Sequence, residues 1–217
     1  VGSEMCIRDS RYSDPLTAAD NTLTFQAVVK TVAERNGLYA DFSPKPLRHQ
    51  PGNGFHINIS VKGGNCEDPL SHMIAGILAH ISELTVFLNP TVASYERFGG
   101  PKAPEYISWS NQNRSQLIRV PAAVDAYRRA ELRSPDPTTN PYLAFALLIY
   151  AGLDGIQQKL PLPAPTDLNL FTASADILAG LQRLPLTLRE AATLAANNSF
   201  VSQYLPKTIV QTYYNQR

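Results

Sequence analysis

The residues between 55 and 61 alternate strictly between apolar and polar, and this pattern limits what the chain can fold into. The polar positions are His56, Asn58 and Ser60. Because successive side chains of a β-strand point to opposite faces, the alternation predicts a strand with one buried and one polar face. The Gly-Asn-Gly turn at 52–54 lets a ligand approach the backbone closely. The polar face therefore fits either the solvent side of a sheet or a surface that binds a metal or a phosphate.

The rest of the sequence predicts a mixed α+β fold. Further short strands are expected at 38–42, 106–110, 116–120 and 130–134. Helices are expected at 17–36, 69–88, 140–153, 173–183 and 187–197 and near the C-terminus, with a Pro-rich linker at 161–170. The strands between 106 and 134 lie too close in sequence for crossover helices. We therefore expect an antiparallel sheet followed by C-terminal helices.

The charge balance excludes a function that depends on overall charge. The chain has 217 residues, with 19 Lys and Arg against 18 Asp and Glu, so its net charge of +1 favours neither nucleic acid nor a membrane surface as a partner. Two cysteines exclude a disulfide-rich fold, and a reduced, cytoplasmic location is expected. The longest apolar stretch, about 73–88, contains His80 and Glu83, and we expect a buried helix there, too short and too polar to span a membrane.

Arginines are concentrated between residues 97 and 133. They are Arg97, Arg114, Arg119, Arg128, Arg129 and Arg133. Guanidinium groups bind carboxylate and phosphate oxygens in bidentate fashion, and few acidic residues lie nearby, so the cluster favours an anion-binding site over surface ion pairs. Glu131 and Arg133 point to the same face of their predicted strand. A carboxylate there can ligate a cation beside a guanidinium that holds an anion, and a surface ion pair is the alternative.

Several motifs, taken in order, resemble those of glutamine synthetase. They are Lys45-Pro-Leu47, Pro51-Gly-Asn-Gly-Phe-His-Ile-Asn-Ile-Ser60, Asn89-Pro-Thr-Val-Ala-Ser-Tyr-Glu-Arg97, Asn113-Arg-Ser-Gln-Leu-Ile-Arg-Val-Pro121, Glu131-Leu-Arg-Ser-Pro-Asp-Pro-Thr-Thr-Asn-Pro-Tyr142 and Ala151-Gly-Leu-Asp-Gly-Ile156. The resemblance extends from Arg11 to near the C-terminus. It implies the C-terminal portion of that family's catalytic domain, with a guanido-kinase-like antiparallel sheet.

The resemblance implies ATP-dependent ligation of ammonia to L-glutamate. The reaction passes through γ-glutamyl phosphate and gives glutamine, ADP and phosphate. Mg²⁺ or Mn²⁺ is the implied cofactor, because divalent cations neutralise the polyphosphate. The family forms homo-oligomeric rings, commonly dodecamers in bacteria, so a ring is the expected assembly of the full-length protein.

The resemblance also assigns roles to individual residues. The implied metal ligands are His56 and Glu131. The implied glutamate-binding groups are the backbone of Gly52 and the side chains of Arg97 and Arg133. The implied ATP-binding residues are Asn58, Ser60, Arg114, Arg119 and Arg129. The implied catalytic residues are Arg114, Arg133 and Lys102, the last in place of a glutamate.

Three positions depart from the family's pattern. Pro51 stands where members have an asparagine that contacts glutamate. Lys102 stands where a loop glutamate takes a proton from ammonium, so either Glu105 replaces that glutamate or amination is impaired. Phe171 corresponds to a tyrosine that some bacterial members adenylylate, so this control is not expected. The Lys102 loop leaves a second function open, a γ-glutamyl ligase that acts on a larger amine.

Residues 1–10 do not resemble the family, and we expect them to be an unrelated or artefactual leader. The family's other metal-binding glutamates and its N-terminal β-grasp domain lie before the position of Arg11. We therefore expect that the first catalytic strands are absent, and that this chain alone is inactive because two ligands cannot hold the catalytic cations tightly. A non-catalytic relative used for assembly is the third alternative.

Overall fold

A computed structural model describes residues 10–62, 66–100, 103–123 and 128–215. The helices in these ranges are α1 (Pro15–Arg35), α2 (Pro69–Leu88), α3 (Val92–Tyr95), α4 (Pro141–Gln158), α5 (Ala175–Ala179), α6 (Leu188–Ala196), α7 (Ser199–Tyr204) and α8 (Lys207–Tyr214). The strands are β1 (Ile57–Ile59), β2 (Trp109–Asn111), β3 (Ile118–Val120) and β4 (Ala130–Leu132). The architecture is a small sheet covered by helices, which agrees with the predicted mixture of helices and strands.

Helix α2 is the centre of the core. Asp68 caps its N-terminus by accepting a hydrogen bond from the Ser71 N–H, and Pro69 occupies the first turn, where a missing N–H costs nothing. A helix that is apolar on nearly every side has to be covered on nearly every side. The sheet and α4, α6 and α7 provide that cover, and residues of all of them belong to one apolar cluster with α2.

By length and composition alone, α2 is apolar enough to cross a membrane, although His80 and Glu83 suggested otherwise. However, 72% of that window is buried inside the protein. A core helix of a globular domain passes the same test, so the burial assigns α2 to the core.

Helices α2 and α4 touch through their backbones. A Cβ on Gly76 would lie 2.8 Å from Gly155 Cα, and a Cβ on Gly155 would lie 2.7 Å from Gly76 Cα. Both added atoms would also press on a backbone carbonyl of the opposite helix, that of Ala151 or that of His72. The two glycines therefore set the separation of the helices.

The sheet has the order β1-β4-β3-β2. The β1/β4 and β3/β4 pairs are antiparallel, but β2 and β3 are parallel, so the expectation of an entirely antiparallel sheet is wrong for this pair. The expectation overlooked how short the strands are. A three-residue strand is only about 10 Å long, and the connection between β2 and β3 can reach about 20 Å. The chain therefore returns to the start of the next strand without a crossover helix.

The register gives the sheet two unlike faces. The apolar row consists of Ile57, Leu132 and Ile118, which are neighbours across β1, β4 and β3 and are buried. The polar row consists of Asn58, Glu131 and Arg119, which are neighbours on the opposite face. The strand predicted at 55–61 is confirmed in its central part, and its polar side faces away from the helical core.

The strand predicted at 38–42 is wrong. Leu38 and Tyr39 are strongly exposed, and in the described ranges no neighbouring strand pairs with this segment. The Asn53 side-chain amide instead donates to the carbonyls of Asp41 and Ser43, at 3.2 and 2.8 Å. The segment has β-type residues but lacks the ladder that would make it a strand.

The Pro-rich segment at 161–170 is not a free linker. Trp109 Nε1 donates to the Pro163 carbonyl at 2.7 Å, and the Thr166 N–H donates to the Trp109 carbonyl at 2.8 Å. The segment thus lies along β2. The nearby helix predictions hold with changed lengths, since α4 continues to Gln158, the helix predicted at 173–183 spans only Ala175–Ala179, and the C-terminal helix is divided into α7 and α8.

Candidate functional site

Glu131 lies at the centre of the polar face and binds several basic side chains. Arg119 Nη1 donates to Oε2 at 2.6 Å, and Arg133 Nη1 donates to Oε1 at 2.9 Å. His56 Nδ1 lies 3.2 Å from the same Oε1. The sheet explains this convergence, because Arg119 faces Glu131 across the β3/β4 pair and Arg133 directly follows β4, two residues after Glu131. We call Glu131, Arg119, Arg133 and His56 the Glu131 cluster.

The basic groups of the cluster determine the charge of Glu131. Burial alone would raise the pKa of this carboxyl, which is only 8% exposed. The hydrogen bond from His56 and the charges of Arg133, His56 and Arg119 outweigh burial and lower the pKa to about 2. Glu131 is therefore an anion at neutral pH, and the cluster as a whole carries excess positive charge.

The guanidinium groups of the cluster are fixed but not saturated. Arg133 is buried, its Nε donates to the Arg114 carbonyl at 3.1 Å, and burial lowers its pKa against the opposing effect of Glu131. Arg119 Nε is buried and has no hydrogen-bond partner among the described residues. Rigid guanidinium groups with unused donors suit an oxyanion ligand.

Asn58 and Arg129 extend the polar face toward the exposed edge strand β1. Arg129 Nε donates to Asn58 Oδ1 at 3.1 Å. Asn58 is also the direct neighbour of Glu131 across the β1/β4 pair. The predicted nucleotide-contacting residues Asn58 and Arg129 are thus joined to the Glu131 cluster.

A second buried cation lies near the first cluster. Arg97 is 3% exposed, its Nη1 donates to the Ser134 carbonyl at 3.0 Å and lies 3.8 Å from Asp136 Oδ2. Asn89 Nδ2 donates to the same carbonyl and the same carboxylate, at 2.9 and 3.0 Å. Burial lowers the pKa of Arg97, and the charge of Asp136 opposes this. We call Arg97, Asn89, Ser134 and Asp136 the Arg97 cluster.

Asn89 and Asp136 are buried partners in the Arg97 cluster that sequence reasoning missed. Both stand inside the quoted motifs, next to Pro90 and Pro135. Their signal was a polar residue of small size beside a proline, which also fits a turn. Only the fold reveals that both are fully buried and hold Arg97.

The glycine turn at 52–54 lies between the two clusters. A Cβ on Gly52 would lie 2.7 Å from Arg97 Cγ and would also press on the Pro44 carbonyl. A Cβ on Gly54 would lie 3.1 Å from His56 Nε2 and 3.3 Å from Arg97 Nη2. The space above Gly54 is therefore bordered by a nitrogen of each cluster, and the glycines keep it open.

The donor set for a divalent cation is incomplete in the described residues. His56 Nε2 is buried without a hydrogen-bond partner among the described residues, and an imidazole nitrogen whose ring is held by a carboxylate through its other nitrogen fits a metal ligand. However, both oxygens of Glu131 are bonded to guanidinium groups, and the described ranges contain no group of three His, Cys, Asp or Glu side chains that can hold a metal. These residues alone do not make a cation site, and their role as metal ligands stays a prediction.

The remaining predicted site residues lie in different surroundings. Ser60 and Arg114 have exposed side chains. Lys102 lies outside the described residues. Glu105, the expected substitute for the loop glutamate, is paired with Arg183 at 3.5 Å. Its backbone carbonyl also accepts a hydrogen bond from the Leu184 N–H at 2.8 Å, so Glu105 is held to the segment before α6.

One cavity of about 560 Å³ opens between α1, residues 39–43 and residues 137–142. None of its lining residues belongs to the Glu131 cluster or the Arg97 cluster. The candidate site is therefore a polar surface with two buried cations, and it lies outside this cavity.

Comparison with known proteins identifies the family. The family described as "Glutamine synthetase, catalytic domain" matches residues 7–217. The chain belongs to the glutamine synthetase family. Glutamine synthetase from Methanosarcina mazei is 44% identical over 94% of this chain and 49% of the relative, and that from Pyrococcus abyssi is 46% identical over 88% and 46%. Glutamine synthetase from Staphylococcus aureus is 39% identical over 96% of this chain and 50% of the relative.

Solved structures agree with this assignment. The structure named "GmaS/ADP complex-Conformation 1" superimposes with a TM-score of 0.83 and 31% identity, over 94% of this chain and 50% of that one. "Apo GmaS without ligand" gives a TM-score of 0.82 at the same identity. The chain thus has a glutamine synthetase-like fold, and it spans about half the length of the curated relatives it matches.

Proposed function

We propose that this chain carries the part of a glutamine synthetase that binds glutamate and the phosphates of ATP while ammonia is ligated to glutamate. The γ-phosphoryl group passes to the side-chain carboxylate of glutamate, and ammonia then displaces phosphate to give glutamine, with ADP released. The observation that carries the proposal is the Glu131 cluster, in which two guanidinium groups are fixed on one buried carboxylate. The membership in the glutamine synthetase family supports the same reaction.

The arginines supply the electrostatic part of this chemistry. A transferring phosphoryl group carries its charge on three oxygens, and positioned cations lower its energy without moving during the reaction. We assign Arg114, Arg119 and Arg129 to the phosphates, with Asn58 and Ser60 beside the nucleotide. ADP in the complex with GmaS, a structurally similar protein, supports a nucleotide on this fold.

Glutamate is assigned to the space between the two clusters. Arg97 and Arg133 are the buried cations that neutralise its carboxylates, and the backbone at Gly52 meets its amino group. Arg133 Nε donates to the Arg114 carbonyl, which supports an assignment of Arg133 beside the phosphates. Arg133 and Arg114 therefore stabilise the charge that develops as the carboxylate is phosphorylated, and Gly54 leaves room for the substrate.

Divalent cations and assembly belong to the proposal on family grounds. Members of the family use Mg²⁺ or Mn²⁺ with ATP, and His56 and Glu131 are the candidate ligands in this chain. A bound cation would neutralise the polyphosphate. A guanido-kinase-like sheet, a ring-shaped homo-oligomer, commonly a dodecamer, and a cytoplasmic location rest on the resemblance alone.

A second candidate is a γ-glutamyl ligase that acts on a larger amine. Ammonium has to lose a proton before it attacks, and Lys102 replaces the loop glutamate that takes this proton. Glu105 is bonded to Arg183 and to the segment before α6. These contacts argue against Glu105 taking the role of the loop glutamate. An amine that is held through its substituent does not depend on the missing carboxylate for binding.

Calorimetric titration of the purified chain with ATP tests the proposal. Arg114→Ala removes an exposed cation assigned to phosphate, so we expect the affinity for ATP to fall by about tenfold. Arg189→Ala, an exposed arginine of α6, is the control and should bind ATP like the original chain. Unchanged ATP affinity in Arg114→Ala would contradict the assignment. In a full-length version of the protein, phosphate release with methylamine but not with ammonium would favour the second candidate.

A further inference from the structure

His80 lies in the helical core, far along α2 from the residues of the two clusters, and faces two carboxylates. Its Nδ1 is 2.9 Å from Glu83 Oε1 on the same helix, and its Nε2 is 2.9 Å from Asp154 Oδ2 on α4. The side chains of the three residues are 19%, 10% and 20% exposed. No assigned part of the ligase chemistry uses this group.

The geometry requires an additional proton. A neutral imidazole has one N–H and one lone pair, so it can donate to only one of the two carboxylates. The other nitrogen would then point its lone pair at a carboxylate oxygen 2.9 Å away. Asp154 is further held by Gln158 Nε2, which donates to its Oδ1 at 2.7 Å, so the ionised carboxylate is already satisfied on that side. The doubly protonated ring is the form in which both contacts are hydrogen bonds.

The ring of His80 also contacts α7. It stacks on Phe200 with the ring centroids 3.8 Å apart and the planes 16° from parallel. Phe200 is 7% exposed and contacts Tyr204, which stacks on Tyr150 of α4 at 3.9 Å. An aromatic face attracts a cation, so the charged ring binds Phe200 more strongly than the neutral ring.

We propose that protonated His80 is a pH-dependent clamp that holds α7 against α2 and α4. The cation joins Glu83, Asp154 and the face of Phe200, which belong to three helices. Loss of its proton removes one hydrogen bond and the attraction to the ring of Phe200. The helix α7 then opens more readily, while the contacts of α2 with α4 at Gly76 and Gly155 are unaffected.

The other groups near α2 do not replace this cation. Glu83 and Asp154 are the groups that act on the charge of His80. Helix α7 contributes the phenol of Tyr204 and no acidic or basic side chain, α6 carries Arg189 and Glu190, and α8 carries Lys207. Burial alone would lower the pKa of His80, but the hydrogen bonds to Glu83 and Asp154 and their charges outweigh it and raise the pKa. The stabilisation is therefore complete below the ordinary histidine pKa and is lost as the pH rises through the raised one.

Hydrogen exchange and NMR titration of the full chain test the clamp. We expect the ring of His80 to titrate above the ordinary pKa of about 6.5. Protection of the amides of α7, corrected for intrinsic exchange, should fall by about tenfold for each pH unit between the ordinary histidine pKa and the raised one, and should level off above the raised pKa. Amides of α4 should show no such fall.

Matched variants isolate the charge. His80→Gln should remove the pH dependence of α7 protection, and His72→Gln should retain it, because His72 lies on the same helix and its ring bonds to the Leu160 carbonyl rather than to Glu83 and Asp154. Asp154→Asn lets the neutral ring make both hydrogen bonds, so it should return the His80 pKa toward the ordinary value without unfolding the chain. A His80 pKa at or below 6.5, or an unchanged pH dependence in His80→Gln, would overturn the clamp.

Discussion

The two faces of the sheet bury different kinds of residue, apolar side chains on one face and charged side chains on the other. On one face the apolar row packs into the helices, and any side chain of suitable volume and apolarity can contribute there. On the other face Glu131 is buried only because three basic groups surround it. Exchange of a single member of that cluster leaves the others with uncompensated charge.

The two faces therefore contribute differently to stability and to the binding of a ligand. A buried ion cluster is often less stable than apolar residues of the same volume. The polar face also leaves His56 Nε2, Arg97 Nε and Arg119 Nε without partners among the described residues. Unused donors beside fixed charges are typical of binding sites, whereas the apolar row needs no ligand to be complete.

The largest expected loss of stability from a single substitution is at Glu131, on the polar face. Glu131→Gln removes the anion between Arg119 and Arg133, so we expect the free energy of unfolding to fall by about 3 kcal/mol. Urea unfolding followed by circular dichroism measures this loss. Glu105→Gln is the matched control, because its partner Arg183 is exposed, and should cost less than about 1 kcal/mol. Equal losses of unfolding free energy in the two variants would mean that Glu131 contributes no more to stability than an exposed ion pair does.

We expect low pH to destabilise the polar face less than Glu131→Gln does. The pKa of Glu131 is lowered to about 2, so its contribution to stability is complete above the unfolded value near 4.5 and is lost as the pH falls toward 2. The loss is smaller than in Glu131→Gln because about half of the Glu131 carboxyl groups are still ionised at pH 2. Thermal unfolding between pH 5 and pH 2 measures it. Glu131→Gln should show a shallower decline over this range, and parallel curves would refute the assignment.

The apolar side is most sensitive where backbones touch. Gly155→Ala places a Cβ against the backbone of α2, and we expect a loss of about 1–3 kcal/mol with no change in ATP affinity. Gly180→Ala is the control, because the nearest atom to its Cβ would be 3.6 Å away. Denaturant midpoints compare the two. A larger cost at Gly180 would show that helix separation is not set at Gly155.

The smallest expected effect on stability is that of Arg114→Ala. Arg114 is exposed, so Arg114→Ala should change the free energy of unfolding by less than about 0.5 kcal/mol. Its ATP affinity should nevertheless fall, as proposed above. A variant that loses binding and keeps its unfolding midpoint would separate the site from the scaffold. A large loss of stability would instead give Arg114 a structural role.

Local patterns predicted the elements well and their pairing less well. The alternation at 55–61 and the apolar run of α2 survive because each pattern matches the face that is buried. The segment 38–42 has the composition of a strand, but a strand needs a partner that composition does not supply. The parallel β2/β3 pair was missed because the expectation used typical strand lengths, and these strands have three residues.

The sequence predicted which residue types form the candidate site, but it did not predict how their side chains are arranged. The motifs placed His56, Glu131 and the arginines in one region, and the sheet register brings His56, Arg119 and Arg133 to Glu131. The ion pair of Glu131 with Arg133 was an alternative that the sequence left open, but the sequence could not show the contact with Arg119, because this depends on the pairing of β3 with β4. It also could not show that Asn89 and Asp136 enclose Arg97, since they lie 47 residues apart.

The order of synthesis gives α2 a particular hazard. The helix leaves the ribosome about 70 residues before its partner α4 is complete. At bacterial and eukaryotic elongation rates this leaves it uncovered for about 4–14 s. During that time a 20-residue apolar segment that can pass for a membrane span is available to targeting factors and chaperones. The chain's yield in a cell therefore depends on how quickly α4 follows, as well as on the stability of the finished fold.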